Sequence, residues 1–220
     1  KIGMEAVDLD PNGVQLIEKG MKLTVLGGVH YPLDCNINPV KYLEALHDFL
    51  VDRGVKIFHN TTVSGLTVGN GKVESIKVSD QSWSGNHFVL AAGSLSSKLI
   101  QQIGIKMPLM AGKGYSITME APIKKPALPA LLIEARIAST PMGAKWRFGG
   151  TMTVTDSNRK INQKKLNAML KAVQNYYPEY DISWVSGLEP WIGLRPLSAD
   201  GLPYIGAFSQ CPNLIAATGH

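Results

Sequence analysis

Gly69-Asn70-Gly71 is the feature that most narrows what this chain can fold into, because it separates two runs rich in β-branched residues, 61–68 and 72–78, by residues that accept positive φ at little cost. The two runs are set up to pair as an antiparallel hairpin. Ahead of them, Asn38-Pro39 offers a helix cap and a proline at the first helical position. Val40, Leu43, Leu46 and Leu50 then recur on one stripe, and Gly54 follows as a stop. A helix over 39–53, a buried strand over 55–58 and a meander extended by 81–83 and 87–91 are therefore expected. Residues 87–90 run into Ala91-Ala92-Gly93, where small side chains let a ligand approach the backbone, and a helix with Leu95, Leu99 and Ile103 on one stripe ends at Gly104.

The texture changes from about residue 106. Three longer strands, 115–120, 131–137 and 145–153, are separated by Pro- and Gly-rich connections, which points to a second part dominated by antiparallel sheet. A helix over 162–177 turns Leu166, Met169, Leu170, Val173 and Tyr177 inward before Pro178 stops it. Its lysines 160, 164, 165 and 171 read as a solvated face, with no aromatic platform that would mark a nucleic-acid surface. The last stretch alternates short apolar strands with Gly, Pro and Asp turns and reaches Gly219-His220 directly after a strand. The chain is a mixed α and β protein, α+β with α/β character.

Composition excludes several classes. With 45% hydrophobic and 18% charged residues over 220 positions, the chain is in the ordinary globular range. No apolar run approaches the roughly 20 residues a membrane-crossing helix needs; the best candidate near Leu128 is broken by Pro129, Glu134 and Arg136. Two distant cysteines, Cys35 and Cys211, suit a reducing compartment, so a cytoplasmic location is expected. The net charge of +5 is mild and spread out.

Metal sites need close-spaced ligands, and the five histidines show no such spacing, so no metal is expected. No G-x-S-x-G elbow supports a hydrolase. Gly112-Lys113-Gly114-Tyr115 begins like a phosphate fingerprint, but Ile117 stands where the third glycine belongs, so it reads as a turn entering the second part. Arg195, between Gly193-Leu194 and Pro196, could take a carboxylate through two parallel hydrogen bonds, as lysine could not.

Gly193-Leu194-Arg195-Pro196, then Asp200 to Gly206, then Asn213-Leu214 to Gly219-His220 resemble, in order and approximate spacing, the late signature of the D-amino-acid oxidase and dehydrogenase superfamily, which includes glycine and sarcosine oxidases. Gly28 to Pro39, Gly54-Val55, Thr62-Val63 and Ala91-Ala92-Gly93-Ser94 are similar too, so the likeness covers most of the chain. Lys113 to Thr118 looks closest to the small subunit of bacterial D-amino-acid dehydrogenase.

This resemblance implies a fragment of a two-domain FAD-dependent oxidoreductase acting on CH-NH2 or CH-NH groups. It implies a segment leading into the substrate domain over 1–37, part of the FAD-binding domain over 38–105, a substrate-binding sheet over 106–195 and a return to the FAD-binding domain over 196–220. Val63 would meet the adenine, Ala92 and Gly93 the ribose and diphosphate, and Gly219 and His220 the flavin ring. Arg195 would pair with the substrate carboxylate, with Tyr115 and Arg147 as pocket residues. The α-hydrogen would leave as hydride and the imine would be hydrolysed by water, the cofactor carrying the difficult step. The implied partners are a small amino acid or amine, an electron acceptor at the membrane and missing parts of the chain itself, with no nucleic acid. Oxygen as acceptor, in a glycine- or sarcosine-type oxidase, is the alternative; a cofactor-free binding module is the alternative of another class. The family's opening G-x-G-x-x-G unit has no counterpart here, so this polypeptide alone is expected to bind flavin weakly or not at all.

Overall fold

Asn38 does what its position promises: its side chain accepts from the backbone amides of Val40 and Lys41, and Pro39 occupies the first turn. The same device appears earlier, where Asp10 accepts from Gly13 N–H ahead of Pro11. The computed structural model describes residues 3, 5–155 and 158–220. Along the chain run strand β1 (Val7–Leu9), helix α1 (Pro11–Ile17), strand β2 (Gly28–His30) and helix α2 (Pro39–Asp52). Strands β3 (Val63–Gly69), β4 (Lys72–Val78), β5 (Gln81–Ser84) and β6 (Phe88–Leu90) follow, then helix α3 (Ser96–Gln101). Next come strands β7 (Leu109–Met119), β8 (Ala130–Leu132), β9 (Ile137–Met142) and β10 (Lys145–Thr155), helix α4 (Gln163–Tyr176), and strands β11 (Trp191–Ser198), β12 (Tyr204–Phe208) and β13 (Cys211–Thr218).

Two compact units share these elements. The first comprises Lys1–Arg53, Gly114–Met152 and Lys160–Ile192; the second comprises Gly54–Lys113, Thr153–Arg159 and Gly193–His220. Strands β7, β10 and β11 pass from one to the other along the chain.

The first unit is built on the sheet ordered β11-β7-β10-β9-β8. Strand alternation sends Tyr115, Ile117, Ile137, Trp146 and Phe148 to one face, where Leu166, Met169, Leu170 and Val173 of α4 meet them with Tyr177 and Tyr180. Trp146 and Phe148 are fully buried, their rings 4.5 Å apart and near edge-on, and truncating either to alanine is worth about 3–5 kcal/mol. Asn162 caps α4 by accepting from Lys165 N–H, and the helix ends at Tyr176, just before Pro178, as its periodicity requires. Glu18, also buried, accepts from the amides of Gly20, Met21, Ala127 and Leu128 and so fastens α1's exit to the loop before β8.

The second unit holds two three-stranded sheets, β3-β4-β5 and β12-β13-β6. The Gly69-Asn70-Gly71 turn is present, with Asn70 at φ 50° and Gly71 at 72°, and β3 pairs β4 antiparallel as read. Asn213 ties the sheets together: its side chain accepts from Val73 N–H and donates to the carbonyls of Val73 and Asn86.

Four local expectations are corrected. Residues 88–90 do not extend the meander of β3, β4 and β5; as β6 they pair in parallel with β13 in the other sheet. Residues 55–58 form no strand; Val55, Ile57 and Phe58 are exposed, and no described strand pairs with them, although the Phe58 ring lies 4.6 Å from that of Trp83. Residues 131–137 are not one strand but the hairpin of β8 and β9, turning at Arg136 with φ 53°. Gly112 to Tyr115 is no turn; it lies inside the eleven-residue β7. A side chain at Gly114 would come within 3.2 Å of the Thr151 carbonyl, so the glycine permits close strand approach.

Candidate functional site

In the second unit β6 and β13 pair parallel, Leu90 opposite Ala216, so both strands end at the same edge of their sheet. There the chain continues as Ala91-Ala92-Gly93 after β6 and as Gly219-His220 after β13. The hydroxyl of Thr218 donates to the Gly93 carbonyl at 3.3 Å, which joins the two ends directly. Gly93 has φ 56° and open space where a side chain would stand; Gly219 has φ 94°, and a side chain there would press on Tyr204 at 3.1 Å. Both conformations favour glycine, and at Gly93 the bare Cα also leaves room for a ligand to lie against the backbone. The carboxyl ends of adjacent parallel strands are where open α/β sheets hold ligands.

Ala92 and His220 are exposed at this edge. Val63 is half-buried at the start of β3, and the next residue, Ser64, accepts through its carbonyl from the Gln102 side chain just past α3. That bond ties β3 to the helix that follows Gly93. Arg195 lies on β11, is exposed, and makes no hydrogen bond or ion pair among the described residues.

Tyr115 and Arg147 belong to the first unit and behave differently. Tyr115 is 2% exposed, packed in the core, and its hydroxyl accepts from Asn162 N–H at 2.9 Å. As placed, its side chain is directed inward on β7 and supports the start of α4. Arg147 points to the opposite face of the sheet from Trp146, donates to Ser116 Oγ at 2.8 Å, and lies 5.4 Å from the centre of the Trp191 ring. The sequence reading did not single out Ser116 or Trp191. Strand alternation carries the signal, since Ser116 follows inward Tyr115, and Trp191, Gly193 and Arg195 share one side of β11. Thr218 was equally unmarked, because its role depends on β13 lying beside β6.

Among the described residues no cluster of three or more His, Cys, Asp or Glu is placed to hold a metal ion, and no helix is long and apolar enough to cross a membrane.

The family model for FAD dependent oxidoreductases matches residues 2–220. This chain belongs to that family. It is 29% identical over 217 residues to the D-amino acid dehydrogenase of Rhizobium rhizogenes, covering 96% of this chain and 51% of that protein. The D-amino acid dehydrogenase of Granulibacter bethesdensis matches at 29% over the same shares of the two chains. The chain thus spans about half the length of these curated relatives. In fold it is similar to glycine oxidase from Bacillus cereus, with a TM-score of 0.85 at 24% identity over all of this chain and 61% of that one. It is also similar to L-proline dehydrogenase from P. horikoshii, with a TM-score of 0.82 at 16% identity over 99% and 59%. The mixed α and β architecture with antiparallel sheets is that of these neighbours.

FAD is the cofactor of this family, and the edge at Gly93 and Gly219 fits part of such a group: two glycine backbones held side by side, one under open space. Ala92, Gly93, Gly219 and His220 are the residues that would lie against it.

Proposed function

We propose that the full-length protein oxidatively deaminates an amino acid in the manner of a D-amino-acid dehydrogenase, with FAD as cofactor. The reading rests above all on the joined ends of β6 and β13, where Thr218 fixes Gly93 beside Gly219 and leaves backbone open to a flat ligand. Bound flavin supplies a two-electron acceptor for the substrate's α-hydrogen. The chain's own residues then have two tasks, to hold the carboxylate and to orient the α-carbon. Arg195 takes the first, its unpartnered guanidinium being free for a bidentate contact. Arg147, already steered by Ser116 and Trp191, is a second cation for the substrate pocket.

In this reading 38–105 and 196–220 form the cofactor side and 106–195 the substrate sheet, after the leading segment 1–37. Val63 lies toward the adenine. The electron acceptor is a membrane quinone or protein, and a net charge of +5 is attracted to the anionic lipid headgroups of that membrane.

Anaerobic mixing of the flavin-loaded full-length protein with D-alanine or sarcosine tests the proposal. D-alanine bleaches the flavin absorbance, and a quinone restores it faster than air. Bleaching by sarcosine with rapid return in air transfers the protein to the oxygen-using oxidases, and no bleaching by any amino acid overturns the reading.

A further inference from the structure

Beside Arg147 the exposed face of the first unit's sheet is not flat. Residues 149, 138 and 131 are lateral neighbours across β10, β9 and β8, Gly149 opposite Ala138 and Ala138 opposite Leu131. Two of these three are small, and they floor an open groove of about 330 Å³ bordered by Leu131, Ile133 and Arg136. Leu131 and Ile133 are 71% and 70% exposed, a large apolar surface for two adjacent side chains. Outside the groove's own lining, two residues along β10 from Gly149, stands the Arg147–Thr140 pair, and Arg147 on this face donates to Ser116. One strand step of two residues is about 6.6 Å, close to the reach from an amino acid's carboxylate to the far part of its side chain.

We propose that this groove receives the side chain of an amino-acid substrate, and that the side chain it selects is bulky and apolar. The inference rests on the amino-acid reading above and extends the substrate range beyond small side chains. The charge pattern orients the occupant: the carboxylate-bearing end lies toward Arg147, and the apolar side chain runs over Gly149 and Ala138 toward Leu131. Arg136 carries the one polar side chain in the lining, so a polar substrate side chain would find few partners for the water it gave up. Gly149 sets the depth. A Cβ at this position would meet only the Cβ of Ser116, at an ordinary 3.8 Å, and the backbone carries no positive φ. The glycine is therefore not demanded by the backbone, and a larger residue fits there by filling the groove.

The test uses the full-length protein, Gly149→Leu and Ala138→Leu. Titration calorimetry compares 3-phenylpropionate with propionate, two unreactive carboxylates that differ in the ring. The wild-type protein is expected to prefer 3-phenylpropionate by roughly 10-fold or more, the scale on which pockets read apolar groups. Each variant that keeps the wild-type circular dichroism loses that preference while its affinity for propionate stays within about twofold. The ratio of kcat/KM for D-phenylalanine over D-alanine falls in parallel. No preference in the wild-type protein, or a preference that survives in a folded variant, overturns the proposal. A protein that binds 3-phenylpropionate in this way yet shows no flavin reduction by any amino acid would retain the groove and lose the amino-acid reading, so the two failures are distinct.

Discussion

Replacing Asn213 by alanine should loosen the wall on which the proposed cofactor edge is built. The side chain is buried and makes three bonds to the backbone, Val73 N–H to Oδ1 at 2.9 Å, Nδ2 to the Val73 carbonyl at 2.8 Å and Nδ2 to the Asn86 carbonyl at 3.2 Å, while Oδ1 also accepts from the Cys211 thiol at 3.7 Å. Val73 itself is 2% exposed, so water does not replace the lost partners of its amide and carbonyl. Each orphaned buried group costs about 1–3 kcal/mol, and two give about 2–6 kcal/mol; the Asn86 carbonyl, only partly buried, adds little. Against a total stability of about 5–15 kcal/mol this is a large loss. With urea slopes of about 1–3 kcal/mol/M, the midpoint followed by circular dichroism should drop by at least about 0.7 M. Asn213→Asp separates hydrogen bonding from size. One carboxylate oxygen still accepts from Val73 N–H, but the other faces two carbonyls, which raises the folded-state pKa above the unfolded value of about 3.9. The sign follows: stability is retained below about pH 4 and lost as pH rises through the raised pKa, so this variant approaches the wild type in acid and resembles the alanine variant at pH 7. A midpoint change equivalent to less than 1 kcal/mol for Asn213→Ala, or a flat pH profile for Asn213→Asp, would refute the reasoning.

Other consequences are separately measurable. Burial pushes the Tyr177 hydroxyl up to about 12, partly offset by its hydrogen bond with Ser139, so its contribution to stability is complete below about pH 10 and is lost between there and 12; urea midpoints of Tyr177→Phe should fall less steeply than wild type across that window. The Tyr180 hydroxyl is buried with no partner among the described residues, and Tyr180→Phe should leave the melting temperature unchanged or raise it. Gly93→Ala has room for its methyl but must hold φ 56°, a cost of about 1 kcal/mol, and should lower the flavin-to-protein ratio of the full-length protein more than its melting temperature.

What could be read from the residues alone was what they encode locally. Asn38-Pro39 and Asn162 with Pro178 mark their helices because cap, period and stop all lie within one segment. Asp10-Pro11 carries the same signal for α1, which the reading of 1–37 as a leading segment passes over. Residues 55–58 have the composition of a buried strand, but a strand also needs a neighbour, and no local pattern supplies one. The β8–β9 turn carries no Gly, Pro or Asn between Ile133 and Arg136, so an apolar run hid a reversal. At the candidate site the glycines were legible from their positions after strands, whereas the Thr218–Gly93 bond depends on a parallel pairing between segments more than a hundred residues apart. The groove over Gly149 needed three strand registers at once.

Arg195→Lys, in the flavin-loaded full-length protein, bears most directly on the central claim. Substituting a point charge for a planar fork should raise the KM or Kd for a carboxylate substrate by about tenfold or more while flavin content stays at the wild-type level. Kinetics that remain unchanged for every carboxylate substrate would remove Arg195 from the site and contradict the account.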